Sequence, residues 1–334
     1  MTSAAAVRNT RSRPLATVVT WARGNSWIVG LITFLVLLAL FTKIINPTYD
    51  LSSVQGLATS ILPLALAAVA QTVCVIAGGI DLSIGSQMEL TSCVAAVLMK
   101  GQSDELGVAI VIGVLLLGLV LGAVNGALVV VTKVPDIVVT LATSFVWAGF
   151  ALLVTPRPAG GAAQWLKDLV VGPLGSEWIP KAAVVLIVVV AVVWIPLTRS
   201  KLGLSLYAIG SNQLAAFRSG ISVSRTKFVS YVITGLFAAM GGLSLTASTG
   251  IGSPVPEPTY VLIAIGAVVL GGVSLAGGVG GVFGPLLAVI VLQLIRNDMT
   301  FLRIDSNYGL VAQGLILIGV LMAGNFIQIR RSRA

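Results

Sequence analysis

Ten apolar segments, separated by short polar connections, make up most of this chain and limit what it can fold into. They cover residues 27–45, 59–77, 84–99, 107–131, 137–155, 182–197, 226–247, 260–276, 280–295 and 310–328. A helix needs about 20 apolar residues to cross a bilayer, and most of these segments approach that length. Hydrophobic residues make up 57% of the 334 positions and charged residues only 9%. The expected fold is therefore an all-α integral membrane protein, a polytopic bundle of about ten transmembrane helices.

The distribution of charge orients this predicted bundle. Basic residues collect before the first segment, in the connection 199–227 and after the last segment, and cytoplasmic parts of membrane proteins carry such an excess. We expect residues 1–26 and 329–334 to be basic cytoplasmic termini that flank a transmembrane domain of residues 27–328. The net charge of +9 then reflects membrane topology, so a nucleic-acid partner is not expected.

The composition also excludes several kinds of chemistry. The chain has no histidine, which removes imidazole zinc sites and nucleophiles activated by histidine. Cys74 and Cys93 lie in apolar segments without metal-ligand spacing, and we interpret them as small core residues. Because no GxxxxGK[ST] phosphate loop is present, the chain is not expected to bind ATP. We predict no catalytic residue, no metal site and no cofactor on this chain.

The stretch "VIAGGIDLSIGSQMEL" interrupts two apolar segments with a bend. Gly78 and Gly79 let the backbone leave helical geometry, which a membrane tolerates only where protein or water satisfies the freed groups. Asp81 and Ser83 follow at positions typical of helix N-caps. Capping near the cytoplasmic face is the simpler interpretation of Asp81, and a direct substrate ligand is the alternative.

Further polar side chains fall inside apolar segments, namely Glu89, Asn125, Thr140 and Thr143. An intramembrane carboxylate by default faces a cavity or a partner group. The amide and the hydroxyls are explained most simply by hydrogen bonds between helices. Together with Asp81 and Ser83, these residues are the candidates for lining a translocation pathway. A proton or cation site at Glu89 or Asp81 would instead indicate a secondary, ion-coupled transporter.

A second glycine-rich stretch, "LGGVSLAGGVGGVFG", separates the eighth and ninth segments and is predicted to form a tight cytoplasmic hinge. Residues 75–82 align with residues 268–275 at an offset of 193, and the same offset carries the third segment onto the ninth. Such an internal repeat is typical of transporters built from two related halves around a central path. The predicted hinge glycines are Gly78, Gly79, Gly271, Gly272, Gly277 and Gly278.

The basic connection 199–227 contains a short predicted helix. Asn212 is suitable as its N-cap, and Gly220 is suitable for the position just after its end. Leu214 and Phe217, three residues apart, would share one face. Such a helix either docks on a cytosolic partner or lies on the membrane surface, where basic side chains contact anionic lipid headgroups.

Two of these motifs resemble the signatures of permease subunits of ABC importers for ribose, xylose and related sugars. They are "AGGIDLSIGS" at residues 77–86 and "YAIGSNQLAAFRSGISV" at residues 207–223. The shorter stretches "NGALV", "VTLAT" and "VVLGGVSLAGG" also fit, so that the resemblance runs from about residue 45 to residue 325. Two stretches depart from the family pattern: "YVLIAI" lacks an acidic residue after Tyr260, and charged Arg296 and Asp298 replace commoner neutral residues. These departures bear on the identity of the sugar and suit one member of an unequal permease pair.

The resemblance implies a set of partners. It makes the short helix of the basic connection a coupling helix that sits in a groove of a cytoplasmic ATP-binding subunit, which holds the ATP and magnesium. The implied coupling residues are Asn212, Leu214, Ala215, Ala216, Phe217, Arg218, Ser219 and Gly220. The other implied partners are a second permease copy or paralogue, an extracytoplasmic substrate-binding protein and a small sugar-like substrate. The chain itself would be a non-catalytic, multi-pass subunit in a bacterial inner membrane.

Overall fold

The computed structural model describes residues 26–254 and 258–305, with isolated positions between 308 and 319. Within these residues there are twelve helices and one two-stranded ribbon. The helices are α1 Ser26–Ile45, α2 Leu51–Ile76, α3 Ile84–Met99, α4 Asp104–Thr132, α5 Asp136–Val154, α6 Gln164–Val170, α7 Lys181–Arg199, α8 Lys201–Ser211, α9 Gln213–Arg218, α10 Val223–Thr249, α11 Pro258–Leu270 and α12 Phe283–Phe301. The ribbon pairs β1 Pro173–Leu174 with β2 Ser176–Pro180.

Six of the described helices, α1, α2, α4, α5, α7 and α10, are long and apolar enough to cross a membrane. The apolar helices α3 and α11 are shorter. The chain is thus a helical, multi-pass membrane protein. The predicted tenth segment, residues 310–328, and the two basic termini lie largely outside the described residues. The count of ten spans and the side of the membrane on which each terminus lies stay predictions.

Two helices form the centre of the bundle. The part of α2 from Ile61 to Ile76 is buried throughout, and so is nearly all of α3. They pack against α5, α10 and α11. The outer helices α1, α4, α5 and α7 expose large apolar side chains, as expected of surfaces that face lipid. Polar groups on α3 and on the part of α2 after Ile61 are therefore held inside the protein.

α2 starts at a capping box in the connection after α1. The Asp50 carboxylate accepts hydrogen bonds from the Ser52 hydroxyl at 2.6 Å and from the Ser53 backbone N–H at 2.9 Å. These bonds favour the charged carboxylate and lower the pKa of Asp50 to about 2. Asp50 is therefore ionised at neutral pH, and its negative charge lies at the positive end of the helix dipole.

Two connections between the long apolar helices contain regular structure of their own. The basic connection 199–227 holds the predicted short helix as α9 and, before it, the helix α8, which the sequence did not indicate, and α10 already begins at Val223. The connection 156–181 contains α6 and the β1–β2 ribbon.

The turn after α2 and the turn after α11 have the same backbone conformation. After α2, Gly78 has a φ of +78°, and after α11 Gly272 has a φ of +80°. In both turns the next residue donates its N–H five positions back, from Gly79 to Cys74 at 3.0 Å and from Val273 to Val268 at 3.0 Å. The two turns correspond at an offset of 194, one residue from the predicted 193. α3 starts at residue 84 and α12 at residue 283, an offset of 199, so one fixed offset does not carry both the turns and the helices that follow them, and the internal repeat stays a prediction.

α4 and α10 pack closely through glycines. Gly118, Gly122 and Gly126 recur every four residues on α4, and a Cβ at each would meet backbone or side-chain atoms of α10. Gly235 on α10 is equally close to α4, where its own Cβ would meet the carbonyl oxygen of Gly118. Small residues at this spacing allow helix backbones to approach closely in a membrane. The spacing is visible in the sequence, but it does not indicate which helix packs against it.

Replacing Gly122 by alanine is expected to destabilise the fold, because the added methyl would collide with the carbonyl oxygen of Tyr231. Overpacking of this kind costs about 1–3 kcal/mol. The purified variant should unfold at a lower temperature in detergent. Gly113, on the same helix, is the matched control, since a Cβ there has no neighbour within 4 Å. Equal unfolding temperatures for Gly122→Ala and Gly113→Ala would contradict the close packing of α4 and α10.

Candidate coupling and translocation site

The short helix α9 forms where the sequence predicts it. The Asn212 side chain accepts a hydrogen bond from the Ala215 N–H at 2.9 Å, as an N-cap does. At the other end Gly220 has a φ of +84°, and the Ile221 N–H bonds to the Ala216 carbonyl at 3.0 Å. This is the Schellman arrangement that ends many helices at glycine. α9 is therefore a rigid, capped unit and not a flexible loop.

α9 presents an apolar face to the outside of the chain. Ala216 is buried against the protein, whereas Leu214 is 60% exposed and Phe217 is 67% exposed. Arg218 and Ala215 are also exposed. The predicted grouping of Leu214 and Phe217 is thus present on the surface. An exposed aromatic on a short capped helix can bind in a groove of another protein.

Backbones from three segments meet next to α9, at a point we call the glycine junction, which consists of Gly78, Gly210, Gly277 and Gly278. A Cβ on Gly210, in α8, would collide with the carbonyl oxygen of Ile76 at the end of α2. A Cβ on Gly277 would lie 2.9 Å from the Cα of Gly78 and 3.0 Å from the Cα of Gly210. The Gly278 N–H also donates to the Ile76 carbonyl at 3.0 Å. The segment that leads into α9 is therefore in direct contact with the turn after α2 and with the loop between α11 and α12.

A side-chain contact strengthens this connection. The Tyr207 hydroxyl of α8 donates a hydrogen bond to the Gly280 carbonyl at 2.8 Å. Of the predicted hinge glycines, Gly78, Gly277 and Gly278 thus lie in the junction, and Gly272 forms the matching turn beside Trp27. The other two are close-packed: Gly79 against Asp136, and Gly271 against the start of α12. Movement at these positions stays a prediction.

A buried hydrogen-bond network holds the turn between α2 and α3. The Asp81 carboxylate accepts from the Ser83 N–H at 2.8 Å and from the Ser83 hydroxyl at 2.6 Å. The Ser83 oxygen in turn accepts from the side-chain amides of Asn125 and Gln87, each at 2.7 Å. Ser83 occupies the N-cap position of α3 but makes no side-chain cap bond, because its hydroxyl points to Asp81. Asp81 therefore orders the turn and does not cap α3 directly.

The remaining pathway candidates divide into two groups. Thr140 belongs to the turn, because its hydroxyl oxygen accepts the Leu82 N–H at 3.1 Å. Thr143 bonds to the Thr140 carbonyl within α5 at 3.2 Å and does not reach the turn. Glu89 lies in α3 and is 5% exposed, almost two helical turns beyond Ser83. The structure thus brings together Asp81, Ser83, Asn125 and Thr140, and leaves Thr143 and Glu89 outside this group.

A second polar cluster, not singled out from the sequence, lies under the same turn. Asp136 at the start of α5 forms an ion pair with Lys227 of α10 at 2.7 Å. The other carboxylate oxygen of Asp136 accepts the Tyr231 hydroxyl at 2.9 Å. Gly79 packs against this cluster, where a Cβ would lie 2.6 Å from the Asp136 carboxylate and 3.1 Å from the Tyr231 hydroxyl. The cluster joins α5 and α10 beneath the first turn.

Replacing Lys227 by methionine is expected to lower the temperature of unfolding in detergent. The change leaves the partly buried Asp136 carboxylate without its cation, and an unsatisfied group of this kind costs about 1–3 kcal/mol. The double variant Asp136→Asn/Lys227→Met removes both charges and keeps an acceptor for Tyr231, so it should recover most of the loss. An unchanged single variant, or a double variant as unstable as the single one, would contradict this role for the ion pair.

Comparisons with known proteins agree with the motifs. The ribose import permease protein RbsC of Haemophilus influenzae is 32% identical over 299 residues, which cover 88% of this chain and 91% of that protein. The D-allose transport system permease protein AlsC of Escherichia coli is 30% identical over 255 residues, 76% of this chain and 77% of that protein. The autoinducer 2 import system permease protein LsrD of Photorhabdus temperata is 28% identical over 313 residues, with 91% and 92% covered. No solved structure matches the chain.

The family match covers most of the chain. Residues 53–321 match the family described as the permease component of the branched-chain amino acid transport system. This range includes the glycine junction, α9 and both polar clusters. The resemblance to sugar-import permeases is thereby confirmed at the level of the family. The chain belongs to this permease family, and the relatives named above are permeases for ribose import, D-allose transport and autoinducer 2 import.

Proposed function

We propose that this chain is the translocation subunit of an ATP-driven importer for a sugar or sugar-like solute. Its relatives are named as permeases for ribose import, D-allose transport and autoinducer 2 import, and these names support this substrate class. The chain takes no part in ATP hydrolysis, which a separate cytoplasmic subunit performs with its own ATP and magnesium. The complete importer contains a second permease copy or paralogue and an extracytoplasmic substrate-binding protein. It resides in a bacterial inner membrane.

The observation that carries this proposal is the contact of the glycine junction with the segment leading into α9. α9 has an exposed apolar face and is capped at both ends, and Gly210 just before it touches the end of α2 and the loop between α11 and α12. A partner that moves α9 therefore displaces the turn after α2 and this loop together. Such a link is what alternating access requires of a subunit that does not hydrolyse ATP itself.

The two polar clusters make the first turn rigid enough to transmit this movement. Asp81 and Ser83 bind the turn to α4 through Asn125, and Thr140 binds it to α5. When a partner displaces the turn, it therefore moves together with α4 and α5. In this proposal Asp81 positions the turn between α2 and α3 and does not contact the solute. The solute passes between the two proposed halves of the chain at another place.

The proposed orientation rests on the distribution of basic residues along the chain. α9 and the glycine junction face the cytoplasm, where the basic connection and both termini also lie. Ten crossings place the opposite ends of α2 and α11 at the extracytoplasmic face. There the substrate-binding protein docks and releases the solute, and ATP binding at the coupling helices reorients the central pathway.

Replacing Phe217 by alanine is expected to abolish ATP-dependent uptake by the assembled importer while leaving the subunit folded. The side chain is 67% exposed and contributes little to the interior, so its loss should affect the interface with the ATPase. Uptake and ATP hydrolysis are measured together in proteoliposomes. Phe145, 72% exposed on α5, is the matched control, and Phe145→Ala should retain coupled uptake.

A cytoplasmic ATPase should also co-purify with the tagged native chain and be lost when residues 212–220 are scrambled. Normal coupled uptake by Phe217→Ala would contradict the coupling role of α9. Uptake by the chain alone, driven only by an ion gradient, would contradict the importer proposal. That result would support the secondary-transporter alternative, with Glu89 and Asp81 as the first residues to replace.

A further inference from the structure

A cleft of about 180 Å³ lies between α2, α10, α11 and α12. Pro63 lines it, and the 13 residues from Pro63 to Ile76 correspond to about 20 Å of helix, so the cleft lies far from the glycine junction. In the proposed orientation it faces the extracytoplasmic side. Its polar lining consists of Ser60, Ser248, Thr249, Tyr260, Gln293 and Arg296. None of the six pathway candidates from the sequence lines it.

Arg296 is the charged group among the residues that line this cleft. Its side chain is exposed, and it makes no ion pair with the described residues. The nearest acidic residue along α12, Asp298, is buried and lies on another side of the helix, beside Thr42 of α1. The cleft therefore carries an unneutralised positive charge.

Gln293 adds a complementary hydrogen-bonding group. It is 9% exposed, and its side-chain carbonyl oxygen has no donor within the described part of the chain. Gln293 and Arg296 are three residues apart and thus share a face of α12. Buried polar atoms of native proteins are normally satisfied, so this oxygen calls for a donor from outside the chain. A solute that donates a hydroxyl to the Gln293 oxygen and places an anionic group at the Arg296 guanidinium satisfies both side chains.

We propose that this cleft binds the transported solute and that Arg296 selects polyhydroxylated solutes that carry an anionic group, such as sugar acids. The inference rests on the proposed function, whose substrate class it narrows. The Arg296 guanidinium is exposed at the cleft, so it attracts an anion through a charge that solvent and salt screen. Charge-assisted hydrogen bonds are also stronger than those to neutral hydroxyls.

The test compares D-glucuronate with D-glucose, which share a ring and differ in a carboxylate. Binding to the purified chain in nanodiscs is measured by saturation-transfer NMR at low and high salt. We expect D-glucuronate to bind at least about tenfold more tightly than D-glucose at low salt, with the preference shrinking as salt screens the charge. Arg296→Gln should abolish the preference.

Arg303→Gln is the matched control, because it removes a positive charge near the same end of α12 from a residue that does not line the cleft. This variant should keep the preference for D-glucuronate. Equal binding of the two sugars to the native chain, absence of D-glucuronate binding, or a preference that survives Arg296→Gln would overturn the inference.

The two proposals fail in different measurements. Retention of the ATPase by the tagged native chain and its loss on scrambling residues 212–220 report on the proposed function and do not involve Arg296. If the ATPase is retained and the anion preference is absent, only the inference about charge selection fails. If the anion preference is present in a chain that binds no ATPase, the cleft inference stands and the importer proposal fails.

Discussion

The close approach of three backbones at the glycine junction is the constraint on which the rest of the structure depends. A side chain on Gly210 would strike the last carbonyl of α2, and one on Gly277 would strike both Gly78 and Gly210. Backbone contact of this kind leaves little room for independent movement of the segments. It fixes α8 against the end of α2 and the loop between α11 and α12, and thereby fixes the position of α9 on the surface.

The second constraint is the absence of water in a bilayer, where freed backbone groups must find partners inside the protein. The turn between α2 and α3 meets it with side chains from other helices. Thr140 accepts the Leu82 N–H, and Asn125 donates to Ser83, which is itself bound to Asp81. The polar residues that first suggested a pathway thus serve to hold an irregular backbone next to the segment that leads into α9. The cleft lined by Ser60 and Pro63 of α2 has a different character, since among the described residues Arg296 has no ion-pair partner and the Gln293 side-chain oxygen has no donor.

Local features of the site were predictable from the sequence, and long-range ones were not. The cap at Asn212 and the turn at Gly220 depend on residues within one helix, so the local sequence was enough to predict them. The ion pair between Asp136 and Lys227 spans 91 positions, and nothing in either local sequence indicates the other partner. The similarity of the turns after α2 and α11 was detectable in the sequence, but glycine-rich sequence aligns almost equally well one residue away. The connection between α11 and α12 is also five residues longer than the one between α2 and α3, so the helices after the turns no longer align at the same offset. The cleft required the packing of four helices, and no local motif marks it.

The central claim is that a movement of α9 is transmitted through Gly210 to the end of α2 and to the loop between α11 and α12. The most direct test is the amount of solute taken up per ATP hydrolysed by the reconstituted importer. The comparison is between Gly210→Ala and Gly281→Ala, since a Cβ at Gly281, in the loop before α12, has no neighbour within 4 Å. In preparations that retain the ATPase, Gly210→Ala should hydrolyse ATP with little uptake, and Gly281→Ala should match the native ratio. A native ratio for Gly210→Ala would contradict the account.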